Sequence, residues 1–71
     1  MFGKDKENRF VEVESYGTIS EKFNIVVDLV TGVNYIKLYS NYGASITPLL
    51  DSDGKVVVSS QSEINEIKYR D

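Results

Sequence analysis

Two turns, each closing on glycine between runs of β-branched and aromatic residues, constrain this chain more than anything else in it. The first run, Phe23-Asn24-Ile25-Val26-Val27-Asp28, leads through Leu29-Val30-Thr31-Gly32 into Val33-Asn34-Tyr35-Ile36-Lys37-Leu38-Tyr39. The second, Ile46-Thr47-Pro48-Leu49-Leu50, leads through Asp51-Ser52-Asp53-Gly54 into Lys55-Val56-Val57-Val58. Glycine lacks the Cβ that clashes at positive φ, so a turn ending on it can adopt left-handed geometry and reverse a strand. Gly32 and Gly54 are therefore expected to be structural turn residues. Asp51 and Asp53 are expected to cap backbone N–H groups in the second turn.

The flanks fit around these hairpins. Val11 and Val13 alternate with Glu12 and Glu14, the period of a strand with one wet face. In the first hairpin, Phe23, Ile25 and Val27 share one face, and Val26 lies on the other with Asn24 and Asp28. Apolar residues on both faces belong inside a sandwich or barrel, or in a sheet whose second face meets another subunit. Asn41 to Ser45 reads as a turn-prone link. Pro48 cannot donate to a ladder, so its strand belongs at an edge or carries a bulge. The tail from Ser59 has two readings. Ser60 or Ser62 can cap a helix carrying Ile64 and Ile67, or Ile64 to Tyr69 forms a last strand, which is the preferred reading. The expected fold is all-β, or mostly β with a short C-terminal helix. It is an antiparallel meander of about five strands forming a small curled sheet or barrel. Residues 1–8 are expected as a mobile tail and residues 9–71 as a single small β-domain.

Composition narrows the function. The chain has 71 residues with neither Cys nor His, which removes disulfides, thiolate metal sites and the commonest general base near neutral pH. A chain this short buries a modest core and gains little net stability, so self-association is the expected support. The net charge of −3 comes from eight basic residues scattered among eleven acids, without the basic stripe that phosphate neutralisation requires. No nucleic-acid partner is expected. No apolar run approaches the ~20 residues of a membrane span, and the N-terminal residues lack an apolar h-region, so no membrane partner is expected and a cytoplasmic location is. Asp51-Ser52-Asp53-Gly54 departs from EF-hand spacing because glycine follows the second Asp at once, so no metal or other cofactor is expected. Gly32, Gly43 and Gly54 end turns instead of opening helices, so they form no phosphate loop. With no triad to assemble, the chain is read as not an enzyme.

The tyrosines carry the positive signal. Tyr35 and Tyr39 share a strand face with Lys37 between them, and Asn41 and Tyr42 follow at the exit of that hairpin. A tyrosine ring supplies rigid apolar area and a hydroxyl to pair, a composition common in protein interfaces. Tyr35, Lys37, Tyr39, Asn41 and Tyr42 are the candidate binding residues. Tyr42 has an alternative role as a lid folded onto Ile46 and Leu50.

Three stretches together carry a resemblance: Val27-Asp28-Leu29-Val30-Thr31-Gly32-Val33-Asn34-Tyr35, Ser40-Asn41-Tyr42-Gly43, and Thr47-Pro48-Leu49-Leu50-Asp51-Ser52-Asp53-Gly54-Lys55. The chain resembles a family of small uncharacterised proteins, of unknown function, from Gram-positive bacteria and their phages. Its pattern is Val-Asp-x-x-Thr-Gly-Val-x-Tyr followed by Leu-Thr-Pro-Leu-x-Asp-x-Asp-Gly-Lys. Where many members have a run of glycines before Thr-Pro, this chain has Gly43-Ala44-Ser45, a departure that weakens a backbone-lined ligand loop. The resemblance implies a phage or prophage setting, in which short proteins often inhibit host machinery.

The functional expectation is a non-catalytic protein-interaction module, a phage accessory protein that inhibits a host or defence protein. The alternative is an oligomeric binder or sponge for a nucleotide signal, using tyrosine stacking with Lys37 or Arg9 at a subunit interface. Either way a homo-oligomer is expected.

Overall fold

The computed structural model describes residues 8–69, so the expected tail lies almost entirely outside the described residues. Four strands form one antiparallel sheet in the order β1-β2-β3-β4, where β1 is Phe10–Gly17, β2 Glu21–Asp28, β3 Asn34–Ser40 and β4 Gly43–Pro48. A single helix, α1 (Gln61–Tyr69), follows. The sheet is open, with β1 and β4 at opposite edges, and does not curl into a barrel.

The first glycine turn forms as its residues dictate. Asp28 N–H donates to the Val33 carbonyl at 2.9 Å, and Gly32 N–H donates to the Asp28 carbonyl. Gly32 sits at φ +84°, and a Cβ there would lie 2.6 Å from the Ser59 carbonyl oxygen, so both conformation and space demand glycine. The second turn closes through Asp51, whose carboxylate accepts from the N–H groups of Asp53 at 2.8 Å and Lys55 at 3.0 Å. Asp53 takes part through its backbone N–H, and Gly54 takes the left-handed position at φ +79°. The link after β3 is tighter than expected: only Asn41 and Tyr42 separate the strands, and Gly43 to Ser45 belong to β4.

Three expectations are corrected. Lys55–Val58 is not a strand: it makes only isolated bridges, Leu50 with Val56 and Val33 with Val58. The chain there divides its bonds, Val57 donating to the Leu49 carbonyl while its own carbonyl accepts from Asn34 N–H, so no continuous ladder develops. The tail is a helix and not a closing strand. Ser60 and Glu63 form a reciprocal capping box, with Ser60 N–H to Glu63 Oε1 at 2.8 Å and Glu63 N–H to Ser60 Oγ at 3.2 Å. That cap starts the helix immediately after the bridges, and leaves no fifth strand to join β4 to β1. Finally, Glu12 and Glu14 do not share a face. A bulge between them pairs Glu12 with Val26 but Glu14 with Ile25, which turns the two carboxylates to opposite sides.

The core is small. Val26, Val27 and Ile64 are its buried apolar residues among those described, and Val27 is 1% exposed. Val27 pairs with Asn34 across β2 and β3, and the Asn34 amide donates to Ser59 Oγ at 2.9 Å and to the Gly32 carbonyl at 3.0 Å. Ile64 comes against Gly32 beside them, so the helix covers only that end of the Val27 face. Asn24, Asp28 and Asn34 are buried as well, and no buried side-chain polar atom among the described residues lacks a partner.

Candidate binding face

Strand register gathers one set of side chains on the face away from Val27. Directly opposite residues in an antiparallel pair point the same way, so Val26, Tyr35 and Pro48 align across β2, β3 and β4. Asn24, Lys37 and Ile46 form the next row, and Lys22, Tyr39 and Ala44 the third. Phe10, opposite Asp28, joins from β1 and meets the Tyr35 ring edge-on at 6.4 Å between centroids. On this face Val26, Asn24 and Asp28 are buried, while residues around them are open to solvent. Phe10 is 53% exposed, Ile46 58% and Tyr39 37%.

Of the residues singled out from the sequence, Tyr35, Lys37 and Tyr39 stand in one row along β3. Tyr35 is half-buried by its neighbours, while the Lys37 ammonium lies 5.0 Å from the centre of the Tyr39 ring. Asn41 and Tyr42 occupy the tip of the β3–β4 hairpin. Tyr42 is fully exposed and does not fold onto Ile46 or Leu50, which corrects the lid alternative. Phe10 and Ile46 complete the apolar part of the face and were not singled out. Their signal was the pairing register, which cannot be drawn until the turns are placed.

Charge is mixed on the tyrosine face, where Lys22 and Lys37 flank Tyr39 and Glu12 lies on β1 opposite Val26, whereas Glu14 and Glu21 lie on the opposite face with Phe23 and Ile25. There the Tyr16 hydroxyl donates to Glu14, and this bond holds the Tyr16 phenol above its usual range. Beside Phe10, Arg9 forms a two-pronged pair with Asp28, Nε to Oδ1 at 2.8 Å and Nη2 to Oδ2 at 2.9 Å. The guanidinium bonds, helped by Val30 N–H and the Thr31 hydroxyl, hold Asp28 well below the usual carboxylate range even though burial opposes its charge.

The concavity at the hairpin tip offers little to a small ligand. A shallow groove at the hairpin tip, bordered by Leu38, Ser40, Tyr42 and Ser45, encloses about 220 Å³ and lies open to solvent. Small-molecule sites usually enclose roughly 300 Å³ or more and bury most of the ligand. Among the described residues, no cluster of His, Cys, Asp and Glu is placed to hold a metal ion, and no helix is long and apolar enough to cross a membrane.

No curated protein and no solved structure matches the chain. Residues 9–59 match the sequence model described as "Family of unknown function (DUF6440)", a span that runs from Arg9 through all four strands and the Gly54 turn, and the chain belongs to that family.

Proposed function

We propose that this chain is a non-catalytic protein-interaction module whose tyrosine face binds another protein. One observation supports the reading: Tyr35 and Tyr39, with Lys37 between them, form a row along β3 with Phe10 and Ile46 beside it, and Phe10, Tyr39 and Ile46 are open to solvent. Leaving such a row in water is unfavourable, and aromatic anchors rimmed by polar groups are the usual content of a binding face. Lys22 and Lys37 give the face a positive rim on a chain whose net charge is −3, so the partner presents acidic groups around an apolar centre. In the phage or prophage setting implied by the resemblance, that partner is a host or defence protein.

Photo-crosslinking tests the reading. A photoreactive phenylalanine analogue at Tyr39 or Tyr42 should capture a defined protein in bacterial cells, and the same group at Ile19, exposed in the β1–β2 turn, should not. Capture that is equal at Ile19 and Tyr39, or absent at both tyrosines, would reject the tyrosine face.

A further inference from the structure

We propose that the outer edge of β4 pairs with β4 of a second copy of this chain, joining two sheets into one. The inference does not depend on the partner assigned to the tyrosine face. Leu49 N–H donates to the Asn34 carbonyl at 2.9 Å. Alternation along an antiparallel ladder then turns Thr47, Ser45 and Gly43 toward β3, and turns the backbone groups of Pro48, Ile46 and Ala44 outward. Pro48, which has no N–H to offer, therefore stands at an outward position, and Ala44 and Ile46 carry the outward donors.

The two edges of the sheet differ in what they can accept. β1 is bulged between Glu12 and Glu14, so a second copy arriving there meets an irregular ladder and like charges. β4 runs Gly-Ala-Ser-Ile-Thr-Pro with a regular register, no charged side chain and every residue exposed. Two net-negative chains can meet along it without opposing charges. Pairing at one edge only also closes the assembly at two copies, because the β1 edges left at either end do not pair.

The position of Pro48 selects the register. If Ile46 faced its own copy, Ala44 would face Pro48 and lose a bond that proline cannot donate. If Ser45 lies on the two-fold axis, each Ala44 exchanges both of its bonds with the other copy's Ile46, and the donor that Pro48 lacks falls beyond the end of the other copy's β4. That register also brings Tyr42, fully exposed in the single chain, alongside Pro48 of the other copy. The axis runs perpendicular to the sheet, so both tyrosine faces lie on the same side and both helices on the other.

The absence of cysteine makes the register directly measurable. Residues facing each other across an antiparallel non-hydrogen-bonded pair have Cα atoms about 4.5 Å apart, and disulfides span roughly 4.4–6.8 Å. Ser45→Cys should therefore convert to a disulfide-linked dimer under mild oxidation, while Thr47→Cys, away from the axis, should remain single. Sedimentation of the unmodified protein should show a species of twice the 8.0 kDa chain mass. Ile46→Pro deletes an outward donor and leaves the bonds to β3 intact. It should weaken the dimer by about tenfold or more with an unchanged circular dichroism spectrum. If that variant fails to fold, amide exchange in the unmodified protein decides instead: protection of Ala44 and Ile46 should rise with protein concentration. A single-chain mass up to millimolar concentration overturns the proposal, as does equal crosslinking at Ser45→Cys and Thr47→Cys. Survival of the dimer in a folded Ile46→Pro variant assigns association to a face, and concentration-independent amide protection assigns the edge to another segment of the same chain. Either result overturns the β4 pairing.

Discussion

Arg9 and Asp28, nineteen residues apart, close the end of the β1–β2 ladder through two parallel hydrogen bonds of 2.8 and 2.9 Å, with the carboxylate side chain 3% exposed and the guanidinium side 50%. The same carboxylate accepts from Val30 N–H at 2.9 Å and so organises the first glycine turn as well. One acidic group thus ties the entry of β1 to the turn that leads into β3.

This pair sets an acid dependence. The folded protein holds Asp28 below its unfolded value, which is about 3.9. The stabilisation is therefore complete well above that value, and is lost as pH falls through it toward the lower folded value. Urea melts at pH 7 and pH 3 should differ less in Asp28→Asn than in the unmodified protein. Arg9→Leu should shift acid unfolding to higher pH, because the buried carboxylate then keeps only its Val30 and Thr31 donors. An acid midpoint unchanged by both substitutions would remove the pair from the stability of the fold.

Gly32 and Gly54 should separate sharply on substitution. Both occupy the left-handed region, but nothing lies within 4 Å of a Cβ built at Gly54, while one built at Gly32 meets the Ser59 carbonyl oxygen at 2.6 Å. Gly54→Ala should cost about 1 kcal/mol from backbone strain alone, and Gly54→Asn less. Gly32→Ala should cost roughly 3 kcal/mol or more, because backbone must move as well. Thermal melts of the alanine pair measure the difference directly, and equal losses would mean that the backbone at Ser59 yields freely.

How much of this was legible follows from the range of each interaction. The turns at Gly32 and Gly54 and the edge position of β4 follow from single residues, since φ > 0 and a missing N–H are local properties. The helix was not decided by the sequence because Ile64 and Ile67 fit a helical period while Ile67 and Tyr69 fit a strand period, and the stretch is too short to separate them. What decides it is the pair of bonds between Ser60 and Glu63, which the sequence carries as Ser-x-x-Glu. The bulge at Glu12 and Glu14 was not legible, since nothing local distinguishes it from plain alternation. Nor was the Arg9–Asp28 pair, whose partners meet only after β1 and β2 align. The row Tyr35, Lys37, Tyr39 was legible from strand period alone. Its completion by Phe10 and Ile46 needed registers on both sides of β3.

The capping box gives a third prediction. Ser60→Ala should cost about 1 kcal/mol. The loss should reach beyond the helix, because Ile64 belongs to a core with few other buried apolar side chains. Ile64→Ala should cost roughly 2–4 kcal/mol and lower helical ellipticity together with sheet stability. A helix signal that disappears while the sheet melts unchanged would show that α1 is only an appendage.

The tyrosine face yields the last prediction, in which stability and binding should separate. Tyr42 is fully exposed among the described residues, so Tyr42→Ser should leave the melting temperature within experimental scatter. Tyr39 is 37% exposed and stacks under the Lys37 ammonium at 5.0 Å, so Tyr39→Ser should cost about 1–2 kcal/mol through lost ring burial and the cation–π contact. The double variant should therefore remain folded at room temperature. If the rings anchor a partner, each contributes through area desolvated only in the complex, where truncating a central aromatic commonly costs about 2 kcal/mol or more, some thirtyfold in affinity. Capture of the partner should thus fall far more than stability does. A double variant that unfolds would place these rings in the fold itself, and one that captures the same protein undiminished would move the binding face elsewhere.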